Sequence, residues 1–184
     1  IGTAWGTTLR DTAEFLSPAD VPVDVVQLMG SVPCKTPNCT PQAIVSNIAG
    51  RFNGHADFLN MPLFIENDYV RQKICEDANN QKILNKGIFS DMILTGITDV
   101  ERVAQKDFWL GYMTPELYRE LKEMGAVGAV FARFYDRDGQ EVDCTWNQKC
   151  VGISFKHIRD VPDVVGVASS PLKAPAILAA IRGQ

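Results

Sequence analysis

Two short stretches of this sequence combine glycine, small hydroxyl residues and a cation in ways that suit an oxyanion. The first is Gly6-Thr7-Thr8, which follows the β-prone run Ile1-Gly2-Thr3-Ala4-Trp5 and precedes Leu9, Ala13 and Leu16 at helical spacing. A strand that turns directly into a helix leaves free N–H groups at the helix mouth. Glycine lets the backbone approach an anion closely, and two adjacent hydroxyls can donate to phosphate oxygens beside those N–H groups. The same residues also suit a plain helix cap, with Thr7 or Thr8 accepting from the backbone. The second stretch is Ala168-Ser169-Ser170-Pro171-Leu172-Lys173. Pro175 lacks an N–H, which is harmless only among the first four helical positions, so a helix here starts near Leu172 or later and Lys173 sits at its mouth. An ammonium in that place complements a phosphate in charge and in hydrogen bonding. A solvated surface lysine is the alternative.

The remaining reactive residues form no comparable group. His55 and His157 are far apart, with no cysteine or carboxylate at metal-ligand spacing, so a zinc site is not expected. Cys34 with Cys39, and Cys144 with Cys150, are close enough in sequence to close local disulfides or to sense redox state, although nothing in the sequence marks a lowered thiol pKa. Asp136, Asp138 and Asp143 suit a solvated turn better than catalysis. The chain has no G-x-S-x-G elbow, Walker loop or G-x-G-x-x-G run, and no cofactor is called for.

The elements that must carry these residues alternate between strand and helix. After the first strand, turn and helix comes a strand within 23–29, stopped at Gly30 and a loop reaching Thr40. Thr40-Pro41 is an N-cap with proline at the first helical position, and Ile44, Ile48 and Phe52 form the apolar stripe behind it. Residues 56–64 have room for a short strand, and 69–75 and 81–86 read as helices. A strand at 92–95 ends on Gly96, and Thr114-Pro115-Glu116 opens a helix that runs to Met124 and stops at Gly125. Residues 130–135, the turn Asp136-Arg137-Asp138-Gly139 and residues 151–154 read as an antiparallel hairpin. The last unit is a strand at 164–168, the serine loop, and a helix carrying Ile177, Leu178 and Ile181. This alternation predicts an α/β fold with a mostly parallel sheet and helices on both faces, as a single domain over 1–184.

The composition sets the outer bounds. With 184 residues, 46% hydrophobic and 22% charged, the chain can bury a full core and lacks the profile of a disordered or fibrous protein. Its apolar runs are far shorter than the roughly 18 residues of a membrane span. The formal charge is −4 and the basic residues are scattered, which argues against a phosphodiester-binding face in this segment. Five cysteines without framework spacing suit a reducing, cytoplasmic setting. The chain opens on Ile1 in a strand-like run with no signal-peptide pattern, and reads as a piece of a longer polypeptide.

Five ordered blocks carry a family resemblance: Ile1-Gly2-Thr3-Ala4-Trp5-Gly6-Thr7-Thr8-Leu9, Val25-Val26-Gln27-Leu28-Met29-Gly30, Gly125-Ala126-Val127-Gly128, Phe134-Tyr135-Asp136-Arg137-Asp138-Gly139, and 173–183. Together they resemble, over essentially the whole chain, the sugar-binding domain of the SorC/DeoR-type bacterial transcriptional regulators. The resemblance implies a fold similar to the ribose-phosphate isomerase, glucosamine-phosphate deaminase and CoA-transferase group. It implies a phosphorylated sugar as effector, DNA contact only through a helix-turn-helix outside this segment, and a homo-oligomer. By the same resemblance Gly6, Thr7 and Thr8 match the first phosphate-contacting turn. Ser169, Ser170 and Lys173 fall on the second, and Gln27 and Gly30 border the pocket.

The chain departs from the family pattern in three places. It has Ser169-Ser170 where Gly-Gly is common, Ala129 where an acidic residue follows Gly-Ala-Val-Gly, and Thr98 where glycine is common. Alanine at 129 removes a plausible acceptor for sugar hydroxyls. Two anion-suited helix mouths with no acid/base pair beside them make effector sensing without bond cleavage the expected function. The competing reading is a phosphosugar isomerase or deaminase, which would need a carboxylate base such as Asp99 or Asp136.

Overall fold

The structure is a computed structural model that describes residues 1–34, 36–105 and 112–183. Five short strands form its main sheet: β1 (Gly2–Thr3), β2 (Val25–Gln27), β3 (Ala56–Asp57), β4 (Met92–Gly96) and β8 (Asp163–Val167). They are ordered β3-β2-β1-β4-β8, and every pairing is parallel. Gly2 pairs with Val26 on one side and Ile93 on the other. Parallel neighbours need crossovers, which α1 (Thr7–Phe15) and α2 (Pro41–Arg51) supply between β1, β2 and β3, with α3 (Asp68–Cys75) and α4 (Ala78–Ile88) leading to β4. The strands β1 and β2 are buried throughout, as expected for a sheet covered by helices on both faces. The core beneath those helices is built from Leu9, Leu28, Met29, Ile44, Ile48 and Ile93.

The proline-led helices start where their caps place them. Thr40 Oγ1 accepts from the Ala43 N–H at 3.2 Å, and Thr114 Oγ1 accepts from the Leu117 N–H at 3.2 Å to open α6 (Pro115–Glu123). Residues 56–64 do contain a short strand, β3, while the two helices before β4 extend beyond the ranges read from the sequence.

Beyond β4 the chain builds a second, antiparallel sheet, β5 (Thr98–Asp99), β6 (Gly128–Val130) and β7 (Arg133–Tyr135), with α5 (Val100–Gln105) and α6 between β5 and β6. Its hairpin differs from the one expected. The turn is Phe131-Ala132, both at positive φ (50° and 62°), and not Asp136-Arg137-Asp138-Gly139. Neither residue signals such a turn. The fold enforces it: both are buried, and the Trp146 indole N–H donates to the Ala132 carbonyl at 2.6 Å. Asp136 closes a separate turn by accepting from the Asp138 and Gln140 amides at 3.0 and 2.9 Å. Residues 151–154 do not pair with β7; Gly152 instead bridges to Met29, and the Gly30 N–H donates to the Val151 carbonyl at 2.9 Å. Two short helices, α7 (Thr145–Lys149) and α8 (Phe155–Ile158), occupy this stretch, and α9 (Ala174–Arg182) closes the described chain.

Candidate functional site

The strand order reverses direction at β1. The chain leaves β1 toward β2 and β3 on one side, and places β4 and β8 on the other. In a parallel sheet such a reversal opens a crevice at the carboxyl ends of the two central strands, where following loops diverge. Here the crevice lies at the ends of β1 and β4. Because all five strands are parallel, the turns after β1, β4 and β8 share one edge. Strands about 4.8 Å apart put the β1 and β8 exits on either side of β4, roughly 10 Å from each other. The two anion-suited stretches thus flank the exit of β4, where a Cβ on Gly96 would only just reach Leu9, at 3.9 Å, and the Trp5 carbonyl, at 4.0 Å.

The turn after β1 keeps its donors free. Gly6 adopts φ 132° and ψ 157°, a conformation suited to glycine, and a Cβ there would meet nothing within 4 Å. Open space, not close packing, lies beside it. Gly6 is the N-cap of α1 with no side-chain cap, and the first bond of the helix runs from the Arg10 N–H to the Gly6 carbonyl at 2.9 Å. The Thr7 and Thr8 amides precede that bond. Thr8 gives its carbonyl to the Thr12 hydroxyl at 2.8 Å, while neither the Thr7 nor the Thr8 hydroxyl takes a partner among the described residues. The capping alternative is therefore unused. Behind the turn, the buried Cys39 thiol lies against the Gly6 backbone and Cys34, and burial pushes it up to about 12.

The turn after β8 is built the opposite way. Ser169 and Ser170 are exposed, and Ser170 holds φ 103°, a left-handed conformation that strains a residue with a Cβ. Its hydroxyl accepts from the Leu172 N–H at 3.3 Å. A 3₁₀ turn over Pro171–Lys173 then precedes α9. Lys173 is only 6% exposed, although its neighbour Leu172 is 79% exposed. The ammonium donates to the Ile97 carbonyl, just past the end of β4, at 2.6 Å. Burial lowers its pKa from the usual lysine value; nearby Arg102 acts in the same direction and Asp99 opposes both. Among the described residues the three N–H bonds of the ammonium have this one acceptor.

The pocket-bordering residues divide. Gln27, at the end of β2, is wholly buried; its amide donates to the Met29 carbonyl at 2.7 Å and its Oε1 has no partner among the described residues. Gly30 is tied to packing instead, since a Cβ there would come within 2.4 Å of the Pro62 carbonyl and 2.5 Å of Leu63 Cα. Sequence reasoning named Asp99 only as a base for the competing enzyme reading and left it out of the effector site; it lies two residues beyond Ile97 and is buried, with one carboxylate oxygen lacking a partner among the described residues. Its one local signal is its place just ahead of α5, where Oδ1 accepts from the Arg102 N–H at 2.7 Å.

The other candidates stay apart from this edge. His157 Nδ1 accepts from the Ser154 amide at 3.2 Å in the capping box of α8, and His55 is exposed. The five cysteines are free thiols. No group of three His, Cys, Asp or Glu among the described residues could hold a metal ion, and no described helix is long and apolar enough to cross a membrane.

Comparison with known proteins places this geometry in a family. The family model described as "Putative sugar-binding domain" matches residues 1–184. The chain is 27% identical over 185 residues to the deoxyribonucleoside regulator of Bacillus subtilis (strain 168), covering 100% of this chain and 58% of that protein. It is 23% identical over 187 residues to the sorbitol operon regulator of Klebsiella pneumoniae, covering 100% of this chain and 59% of that one. It therefore spans less than two thirds of these relatives. Among solved structures, the full-length sorbitol operon regulator SorC from Klebsiella pneumoniae superposes with a TM-score of 0.90 at 24% identity, over 99% of this chain and 60% of that one. A DeoR family transcriptional regulator from Listeria monocytogenes superposes with a TM-score of 0.87 at 23% identity, over 99% and 71% respectively. With the family model matched from end to end and a switch-point crevice on the matching fold, the chain belongs to the sugar-binding domain family of the SorC/DeoR-type transcriptional regulators.

Proposed function

We propose that this domain senses a phosphorylated sugar and, on binding it, alters the DNA affinity of a helix-turn-helix in the same polypeptide. The observation that carries this reading is the pairing of two anion-suited turns across the exit of β4: free threonine hydroxyls and amides on one side, a buried lysine on the other. The phosphate sits between Gly6-Thr7-Thr8 and Ser169-Ser170-Lys173, and the sugar extends toward Gln27. The ligand acts by differential affinity for two arrangements of a homo-oligomer, with no bond broken. Leu178 and Ile181, exposed on α9, support self-association.

Isothermal calorimetry with a panel of sugar phosphates tests the reading directly. At least one ester binds with a dissociation constant below 1 mM, on the order of a −4 kcal/mol binding free energy or better, and raises the thermal midpoint by mass action. Failure of every ester to bind, or conversion of an ester to product during the titration, overturns it.

A further inference from the structure

We propose that Asp99 is the specificity residue of this site, accepting a hydrogen bond from a hydroxyl of the bound phosphosugar; the inference rests on the phosphosugar reading above. Three buried side-chain polar atoms lack a partner among the described residues: Gln27 Oε1, Arg71 Nε and Asp99 Oδ2. Arg71 belongs to the peripheral helix α3, which buries none of its residues. The other two lie at the carboxyl edge of the sheet, on opposite sides of β1, at the ends of β2 and just beyond β4. Buried acceptors are normally satisfied, so two orphans flanking one crevice mark a place where a ligand supplies donors.

The backbone fixes Asp99 in place. It pairs with Gly128 in the antiparallel ladder, and its Oδ1 is committed to the Arg102 amide. Oδ2 is left with no donor, at a residue 8% exposed. Lys173 is held at Ile97, two residues back along the chain, and gives no bond to that oxygen. A cation and, within its electrostatic reach, a carboxylate oxygen with no partner among the described residues do not suit inorganic phosphate, because the anion that Lys173 attracts is repelled by Asp99. They suit a phosphomonoester whose carbon skeleton turns a hydroxyl toward Asp99 while its phosphate reaches Lys173. Ala129, paired with Thr98, offers no acceptor from the neighbouring strand, so the carboxylate that reads the sugar comes from β5.

The test compares ligands with and without hydroxyls on the 184-residue chain. Calorimetry measures inorganic phosphate, butyl phosphate, ribose 5-phosphate, fructose 6-phosphate and sorbitol 6-phosphate against wild type, Asp99→Ser and Asp99→Asn. Serine keeps an N-cap oxygen for Arg102 and removes Oδ2; asparagine keeps the volume and removes the charge. In the wild type, the best sugar phosphate binds at least tenfold tighter than butyl phosphate. Asp99→Ser abolishes that advantage and Asp99→Asn reduces it, while butyl phosphate affinity holds or rises in both. Circular dichroism and the thermal midpoint confirm that the variants fold, and asparagine carries the test if serine does not fold. No preference for hydroxylated esters in the wild type, or a preference that persists in both variants, overturns the proposal. The underlying reading fails separately, if butyl phosphate and inorganic phosphate bind Lys173→Met as well as wild type.

Discussion

The turn after β1 and the turn after β8 lie along the same edge of the sheet, yet they are built in different ways. The first relies on a relaxed glycine that opens a helix mouth and leaves two threonine hydroxyls without partners among the described residues. The second holds a serine in a conformation suited to glycine and carries a lysine desolvated against a carbonyl. On the proposed reading, one side offers neutral donors and the other a cation already desolvated by the fold. Phosphate affinity should therefore depend most on the second turn, and fold stability on the conformation of the first.

The largest effect belongs to Lys173→Met. Loss of a charge-assisted bond weakens sugar-phosphate binding by about 1.5–3 kcal/mol, roughly ten- to hundredfold, by calorimetry. The pH dependence sharpens the contrast. The folded pKa of Lys173 lies below its unfolded value, so between the two the unfolded chain binds more protons and stability rises with pH. Ligand affinity moves the other way across that window, falling as the ammonium loses its proton. Opposite slopes in wild type, and flattened slopes in Lys173→Met, are expected from paired chemical-denaturation and binding titrations at each pH. Parallel slopes would mean that Lys173 does not meet the phosphate.

Gly6→Ala comes next and acts on the fold. Nothing obstructs a methyl group there, so the penalty is conformational alone, about 1–3 kcal/mol in urea unfolding. A neutral result would show that the backbone of the first turn is adaptable, and would remove the contrast with Ser170. Thr8→Val keeps the shape and removes one donor. It should reduce sugar-phosphate affinity about tenfold, near 1.5 kcal/mol, without lowering the urea midpoint.

What could be read from the sequence follows from how local each cause is. The Thr40 and Thr114 caps, the β1-to-α1 turn and the position of Lys173 just ahead of Pro175 depend on neighbours within a few residues, and all were legible. The Phe131-Ala132 turn was not, because the Trp146 indole and burial, not turn residues, hold it at positive φ. The helices α7 and α8 escaped because five and four residues are too short to show a period. Asp99 was visible only as one of two carboxylates, with Asp136, that the competing enzyme reading would need as a base. Whether its second oxygen finds a partner depends on packing between strands far apart in sequence, Asp99 pairing with Gly128, which no local pattern reveals.

The smallest expected effect tests the strained side of the comparison. Ser170 holds φ 103°, and the resemblance places glycine at this position in the family. A side chain in that region costs on the order of 1–3 kcal/mol, and the one bond its hydroxyl makes, to the Leu172 amide at 3.3 Å, returns only part of it. Glycine would lose that bond and add unfolded-state entropy, so Ser170→Gly should stabilise the domain by a net of about 1 kcal/mol. The urea midpoint should rise with an unchanged m-value, since no surface is newly buried. If binding is weakened in the same variant, the serine hydroxyl contributes to the anion site and its strain has been retained for that contact. If stability falls instead, the loop is held by its neighbours in a shape that serine tolerates, and the two turns differ only in charge.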